Sequence, residues 1–62
     1  MITYEEYFCL INPSIYVYLE GQLVGEIEYD SQSQYVLYID ILSDDVIHKA
    51  NSLTKMKEIL EN

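Results

Sequence analysis

The fold class this sequence predicts is α+β: a short N-terminal helix, a three-stranded antiparallel β-meander and a C-terminal amphipathic helix, with both helices on one face of the sheet. Three observations predict it. Apolar and polar residues alternate from Ser14 to Leu42; a helix-start pattern precedes that stretch at Thr3; and an apolar stripe at helical spacing follows it from Val46. At 62 residues the chain reads as a single small acidic domain, residues 1–62, of a size that buries only about 60% of the surface its unfolded form exposes.

The first helix is expected over about residues 4–11. Thr3 serves as N-cap, Glu6 closes a capping box three residues on, and Ile2 and Tyr7 stand where a hydrophobic staple would form. Glu5 and Glu6 suit the positive end of a helix dipole, and Pro13 restricts Asn12 and ends the segment. Tyr4, Phe8 and Ile11 would face inward, and Cys9 reads as a small buried apolar residue.

Three strands follow. Ile15, Val17 and Leu19 alternate with Tyr16, Tyr18 and Glu20; Leu23, Gly25 and Ile27 with Val24, Glu26 and Glu28; and Tyr35, Leu37, Ile39 and Ile41 with Val36, Tyr38 and Asp40. Glu20-Gly21-Gln22 supplies the first turn and Asp30–Gln34 the second. A two-residue turn at Glu20-Gly21 would pair Val17 with Val24; a three-residue turn would pair Leu19 with Leu23 and Ile15 with Ile27. We favour the second, because it gathers Ile15, Val17, Leu19, Leu23, Ile27, Leu37, Ile39 and Ile41 on the helix side. The open side is then Tyr16, Tyr18, Val24, Glu26, Glu28, Val36, Tyr38 and Asp40.

Ser43 is the expected N-cap of the last helix, with Asp44 and Asp45 in its first turn. Val46, Ala50, Leu53, Met56 and Leu60 form its inward stripe, and the weak helix formers Asn51 and Ser52 mark a point where it could break.

Charge narrows the function. The formal net charge is −8, and no lysine or arginine precedes Lys49, whereas Glu5, Glu6, Glu20, Glu26, Glu28, Asp30, Asp40, Asp44 and Asp45 all do. Carboxylates this close repel one another and lower the stability of the compact state. Direct binding to nucleic acid or to an anionic membrane is excluded as a reading, since both depend on Lys and Arg. No apolar run approaches the roughly 20 residues of a membrane span. One cysteine allows no internal disulfide, so a soluble protein of a reducing cytoplasm is expected.

Catalysis has little support. His48 is the only histidine and lies off the apolar stripe, without the orienting carboxylate and nucleophile that a functional imidazole requires. Cys9 stands late in an acidic helix, the wrong place for a low-pKa thiol. The calcium loop of spaced Asp ligands with a central Gly and a terminal Glu is absent, and Gly21 and Gly25 form no phosphate loop. No cofactor and no metal are expected.

Interaction is the better reading. Seven tyrosines are interleaved with the acids, and Tyr offers a large, rigid contact area with a polar tip. The expected contact residues are Tyr16, Tyr18, Glu20, Glu26, Glu28, Asp30, Tyr38 and Asp40. The expected partner is a basic nucleic-acid-binding protein of the host, whose groove would accept carboxylates in place of phosphates. A homo-oligomeric structural or adaptor module, a homodimer through the tyrosine face, is the alternative. In size, acidity and lack of a catalytic set the chain resembles the small inhibitors encoded by bacteriophages, including DNA-mimic and anti-CRISPR proteins. That resemblance is one of character; it rests on no motif and transfers no residue.

Overall fold

The computed structural model describes residues 1–7 and 14–62. It contains β1 (Ile2–Tyr7), β2 (Ser14–Leu19), β3 (Gln22–Asp30), β4 (Tyr35–Asp40), β5 (Val46–Ala50) and α1 (Leu53–Glu61). The strands form one antiparallel sheet in the order β1-β2-β3-β4-β5, and α1 packs on one side of it. This corrects the expected three-stranded meander with two helices: the fold is mostly sheet, with a strand where the N-terminal helix was expected and one helix at the C-terminus.

The N-terminal correction has a local cause. Ile2, Thr3, Tyr4 and Tyr7 are better strand than helix formers, and β1 pairs with β2 along its whole length, from Ile2 opposite Leu19 to Tyr7 opposite Ser14. A capping box is worth about one turn of helix, whereas the strand pairing satisfies the backbone of both segments. Tyr4 then fixes β1 to the helix: its hydroxyl donates to Glu61 Oε2 at 2.6 Å, and Lys57 Nζ lies 4.7 Å from its ring centroid. Burial, that hydrogen bond and the Glu61 charge all raise the Tyr4 pKa above the usual phenol value. The expected positions of Phe8, Cys9 and Ile11 lie outside the described residues.

At the other end the chain makes a strand before its helix. Val46 and Ile47 are β-branched, and β5 pairs with β4 from Val36 opposite Ala50 to Ile39 opposite Val46, with a bulge that leaves Ile47 without an opposite residue. Ser43 therefore caps no helix. The Asp40 carboxylate organises a turn instead, accepting from Leu42 N at 3.2 Å, Ser43 N at 3.0 Å and Ser43 Oγ at 3.1 Å, while Asp44 takes a left-handed φ of 60°. The true N-cap is Ser52, whose Oγ accepts from Lys55 N at 3.1 Å. Four of the five stripe residues still reach the core, Ala50 from the end of β5 and Leu53, Met56 and Leu60 from α1.

Both registers considered for the first hairpin occur in part. Glu20 and Gly21 have φ of 51° and 81°, the signature of a two-residue type I′ turn, and Tyr18 pairs with Leu23. A bulge at Val24 then restores Ile15 opposite Ile27. The hairpin tip is tied to the chain start, where the Met1 amino group pairs with the Glu20 carboxylate and Glu20 N donates to Met1 O at 3.1 Å.

The second hairpin turns β4 over relative to the expected arrangement. Its loop is Ser31–Gln34, closed by Gln34 N donating to Asp30 O at 2.8 Å with Gln34 at a φ of 64°, and it sets Asp30 opposite Tyr35. Opposed residues share a face, so Tyr38, opposite Ile27, points toward the helix, and Leu37 and Ile39 point away. Val17, Ile27, Val36, Tyr38, Ala50 and Met56 are the buried core, with Ile2, Tyr4, Ile15, Val24, Leu53 and Leu60 around it. The Tyr38 ring passes directly over Gly25, where a Cβ would lie 2.4 Å from its Cζ.

Candidate interaction face

The side of the sheet opposite α1 carries three adjoining rows of side chains, read from the strand pairing. Glu5, Tyr16, Glu26 and Ile39 make the central row; Tyr7, Ser14, Glu28, Leu37 and Lys49 lie on one side of it; Thr3, Tyr18 and Leu23 lie on the other. Rows repeat every ~7 Å along a strand and columns every ~4.8 Å across the sheet. Tyr7 and Tyr16 meet edge to face, ring centroids 4.7 Å apart at 67°. The neighbouring Glu5 carboxylate, by its hydrogen-bonding pull on the hydroxyl and its charge, raises the Tyr7 pKa above the ordinary phenol value.

Of the eight residues expected to make contact, the structure brings four onto this face: Tyr16, Tyr18, Glu26 and Glu28. The other four are elsewhere. Tyr38 is 6% exposed and belongs to the core, a consequence of the β4 inversion. Asp40 holds the β4–β5 turn. Asp30 holds the β3–β4 turn, its carboxylate accepting from Ser33 Oγ at 2.7 Å and Gln32 N at 3.2 Å. Glu20 sits at the tip of the first hairpin. Glu5, Tyr7, Leu37 and Ile39 were missed. Thr3-Glu5-Tyr7 alternating with Ile2-Tyr4-Glu6 is a strand signal for the first two, outweighed in the sequence by the helix-start pattern.

Glu26 and Glu28 point the same way from one strand and share a hydrogen bond, which requires a proton on one of them. That bond, then burial, then the Glu26 charge and the more distant Asp44 push the Glu28 pKa up to about 7 from 4.5. The folded state thus binds this proton more tightly than the unfolded chain. Its stabilising contribution is complete below about pH 4.5 and is lost as pH rises to about 7. Asp30 and Asp40 act oppositely: hydrogen bonds to Ser33 and Ser43 hold them below 3.8, so their contribution is lost only on acidification beneath that value. We therefore expect Glu28→Gln to raise stability at pH 8 by about 1 kcal/mol, after allowance for solvent screening, and to change it little at pH 4.5. Urea unfolding at the two pH values checks this; equal effects at both would disprove the shared proton.

Among the described residues this face carries no histidine or cysteine. His48 is exposed on β5, its ring centroid 5.9 Å from that of Tyr38, and among the described residues no three His, Cys, Asp or Glu side chains converge to hold a metal ion. No described helix is long and apolar enough to cross a membrane. Compared with known proteins, the chain matches no family model, no curated protein and no solved structure. The chemistry of the face alone carries its interpretation.

Proposed function

We propose that this domain is a non-enzymatic inhibitor whose open sheet face docks on a basic, nucleic-acid-handling protein and blocks access to it. The observation that supports this reading is the make-up of the face: Glu5, Glu26 and Glu28 surround Tyr7, Tyr16 and Tyr18, and the one cation in these rows, Lys49, stands at the far edge. A solvated face of an antiparallel sheet is ordinarily polar throughout; one that mixes aromatic rings, Leu37 and Ile39 with acids suits a partner that is both basic and apolar. On this reading the domain acts as the phage-encoded decoys do that its size and acidity resemble.

The shared proton gives the reading a thermodynamic signature. A guanidinium or ammonium group placed between Glu26 and Glu28 favours both in ionised form, so docking near pH 7 releases up to about half a proton. The test begins with capture from a bacterial lysate by the tagged protein and by a Glu26→Lys, Glu28→Lys variant that retains its far-ultraviolet spectrum. The captured protein is expected to be basic, to be released by salt and to be absent from the variant. Titration calorimetry of that pair in buffers of different ionisation enthalpy should then show proton release. Binding that survives the double reversal would refute the proposal.

A further inference from the structure

The helix covers only part of its side of the sheet. The nine residues of α1 rise about 14 Å, whereas the outer strands of a five-stranded sheet stand ~19 Å apart. α1 starts just after Ala50, which opposes Val36, and its far end is held at Tyr4 through Glu61. That diagonal leaves one corner of the sheet beside the helix, where Glu6 opposes Ile15, Ile15 opposes Ile27 and Tyr29 opposes Val36, all on the helix side. A cavity of about 450 Å³ lies there, open to solvent on one side. Ile15, Ile27, Val36 and Leu53 line it, with half-exposed Tyr29 and exposed Glu6 among its walls. Among the described residues no lysine, arginine or histidine lines it, and Glu6 is paired with no cation.

We propose that this cavity binds a small amphiphilic cation, an alkylammonium or arylalkylammonium ion. The apolar tail lies against Ile15, Ile27, Val36 and Leu53, and the ammonium group sits between Glu6 and the Tyr29 ring. Size and lining match a small-molecule site: such clefts run about 300–1,000 Å³ and are mostly apolar, with a few polar groups to fix orientation. Charge then selects the class of ligand. An anionic head would meet Glu6 and a body of net charge −8, with no cation among the described lining residues to offset them. A positive head meets a carboxylate and an aromatic ring, each of which attracts it. A neutral molecule of the same shape gains the apolar burial alone. The cavity is built on the helix side of the sheet, away from the tyrosine and carboxylate face, so it stands or falls independently of the function proposed for that face.

The experiment is titration of the whole chain with n-octylammonium, n-octanol and octanoate, followed by methyl NMR, at about 0.15 M salt, where attraction to distant carboxylates is screened beyond ~8 Å. Octylammonium should bind saturably, one per chain, and shift the methyl signals of Ile15, Ile27, Val36 and Leu53. Octanol should shift the same signals with about fivefold weaker affinity, because it lacks the ion pair and the contact with the Tyr29 ring. Octanoate should bind at least about tenfold more weakly than octylammonium. Hexylammonium, two methylenes shorter, should also lose about tenfold. Glu6→Gln should weaken octylammonium about threefold and leave octanol unchanged, a split that general loss of structure would not produce. Ile15→Phe, which adds bulk to the cavity wall, should weaken both; if that variant fails to fold, the methyl map and Glu6→Gln decide the matter without it. Shifts confined to the Glu26 and Glu28 face would mean simple ion exchange and overturn the proposal. Equal affinity for octanoate, or no saturation up to about 10 mM, would overturn it too.

Discussion

Met56→Ala is expected to cost about 3 kcal/mol, a third or more of a total stability on the order of 3–9 kcal/mol. Met56 is fully buried, and it is the one buried residue of α1. A helix of nine residues has no independent stability in water and depends on the face it packs. Removing the thioether takes away the central contact between α1 and the sheet, leaving Leu53 and Leu60, each only partly buried, to hold the helix. Met56→Leu keeps nearly the same volume and should cost less than about 1.5 kcal/mol. Urea unfolding followed by circular dichroism separates the two; equal losses would mean that side-chain volume at this site is not what holds the helix down.

Gly25→Ala is the second severe substitution, although it adds one methyl group to a strand. The new carbon would stand 2.4 Å from Cζ and Oη of Tyr38 and 2.5 Å from its Cε1, far inside van der Waals contact. Tyr38 is itself buried in the core, so its ring cannot swing aside without uncovering Ile27 and Val36. We expect a loss of about 2–3 kcal/mol and a melting temperature lower by about 10 °C or more. The cause is a pair of residues, so the loss should shrink when Tyr38 is also shortened: in the double variant with Tyr38→Val, the two effects should fall short of additivity by at least 1 kcal/mol. Strict additivity would place the strain elsewhere.

The middle of the fold was legible in the sequence because its period is strong and its turns are chemically marked. Ile15, Val17 and Ile27 face the helix, and Tyr16, Tyr18, Glu26 and Glu28 face away, as alternation required. The ends were not legible. Thr3–Glu6 satisfies a helix-start pattern and a strand alternation equally well, and only pairing with β2 decides between them. From Val46 to Leu60 the apolar spacing of a helix is also met by a strand that ends at Ala50 and a helix that begins at Leu53. Asn51 and Ser52, where the chain changes from one to the other, were the visible sign. The candidate site suffered most at β4, where Val36 and Tyr38 alternate with Leu37 and Ile39 and both sets are apolar. Hydrophobic periodicity says nothing about which of two greasy sides goes inward.

Something else must then choose front from back in β4, and it is the length of the Ser31–Gln34 loop. Four residues, closed by the Asp30–Gln34 hydrogen bond, place Tyr38 beside Ile27; three or five would present Leu37 or Ile39 there instead. Register set in an exposed polar loop thus selects the molecular surface displayed by the strand that follows it. One inserted or deleted residue, with the four-residue turn kept, would slip β4 by one position against β3 and exchange its outward-facing chemistry, with every residue of the strand itself unchanged.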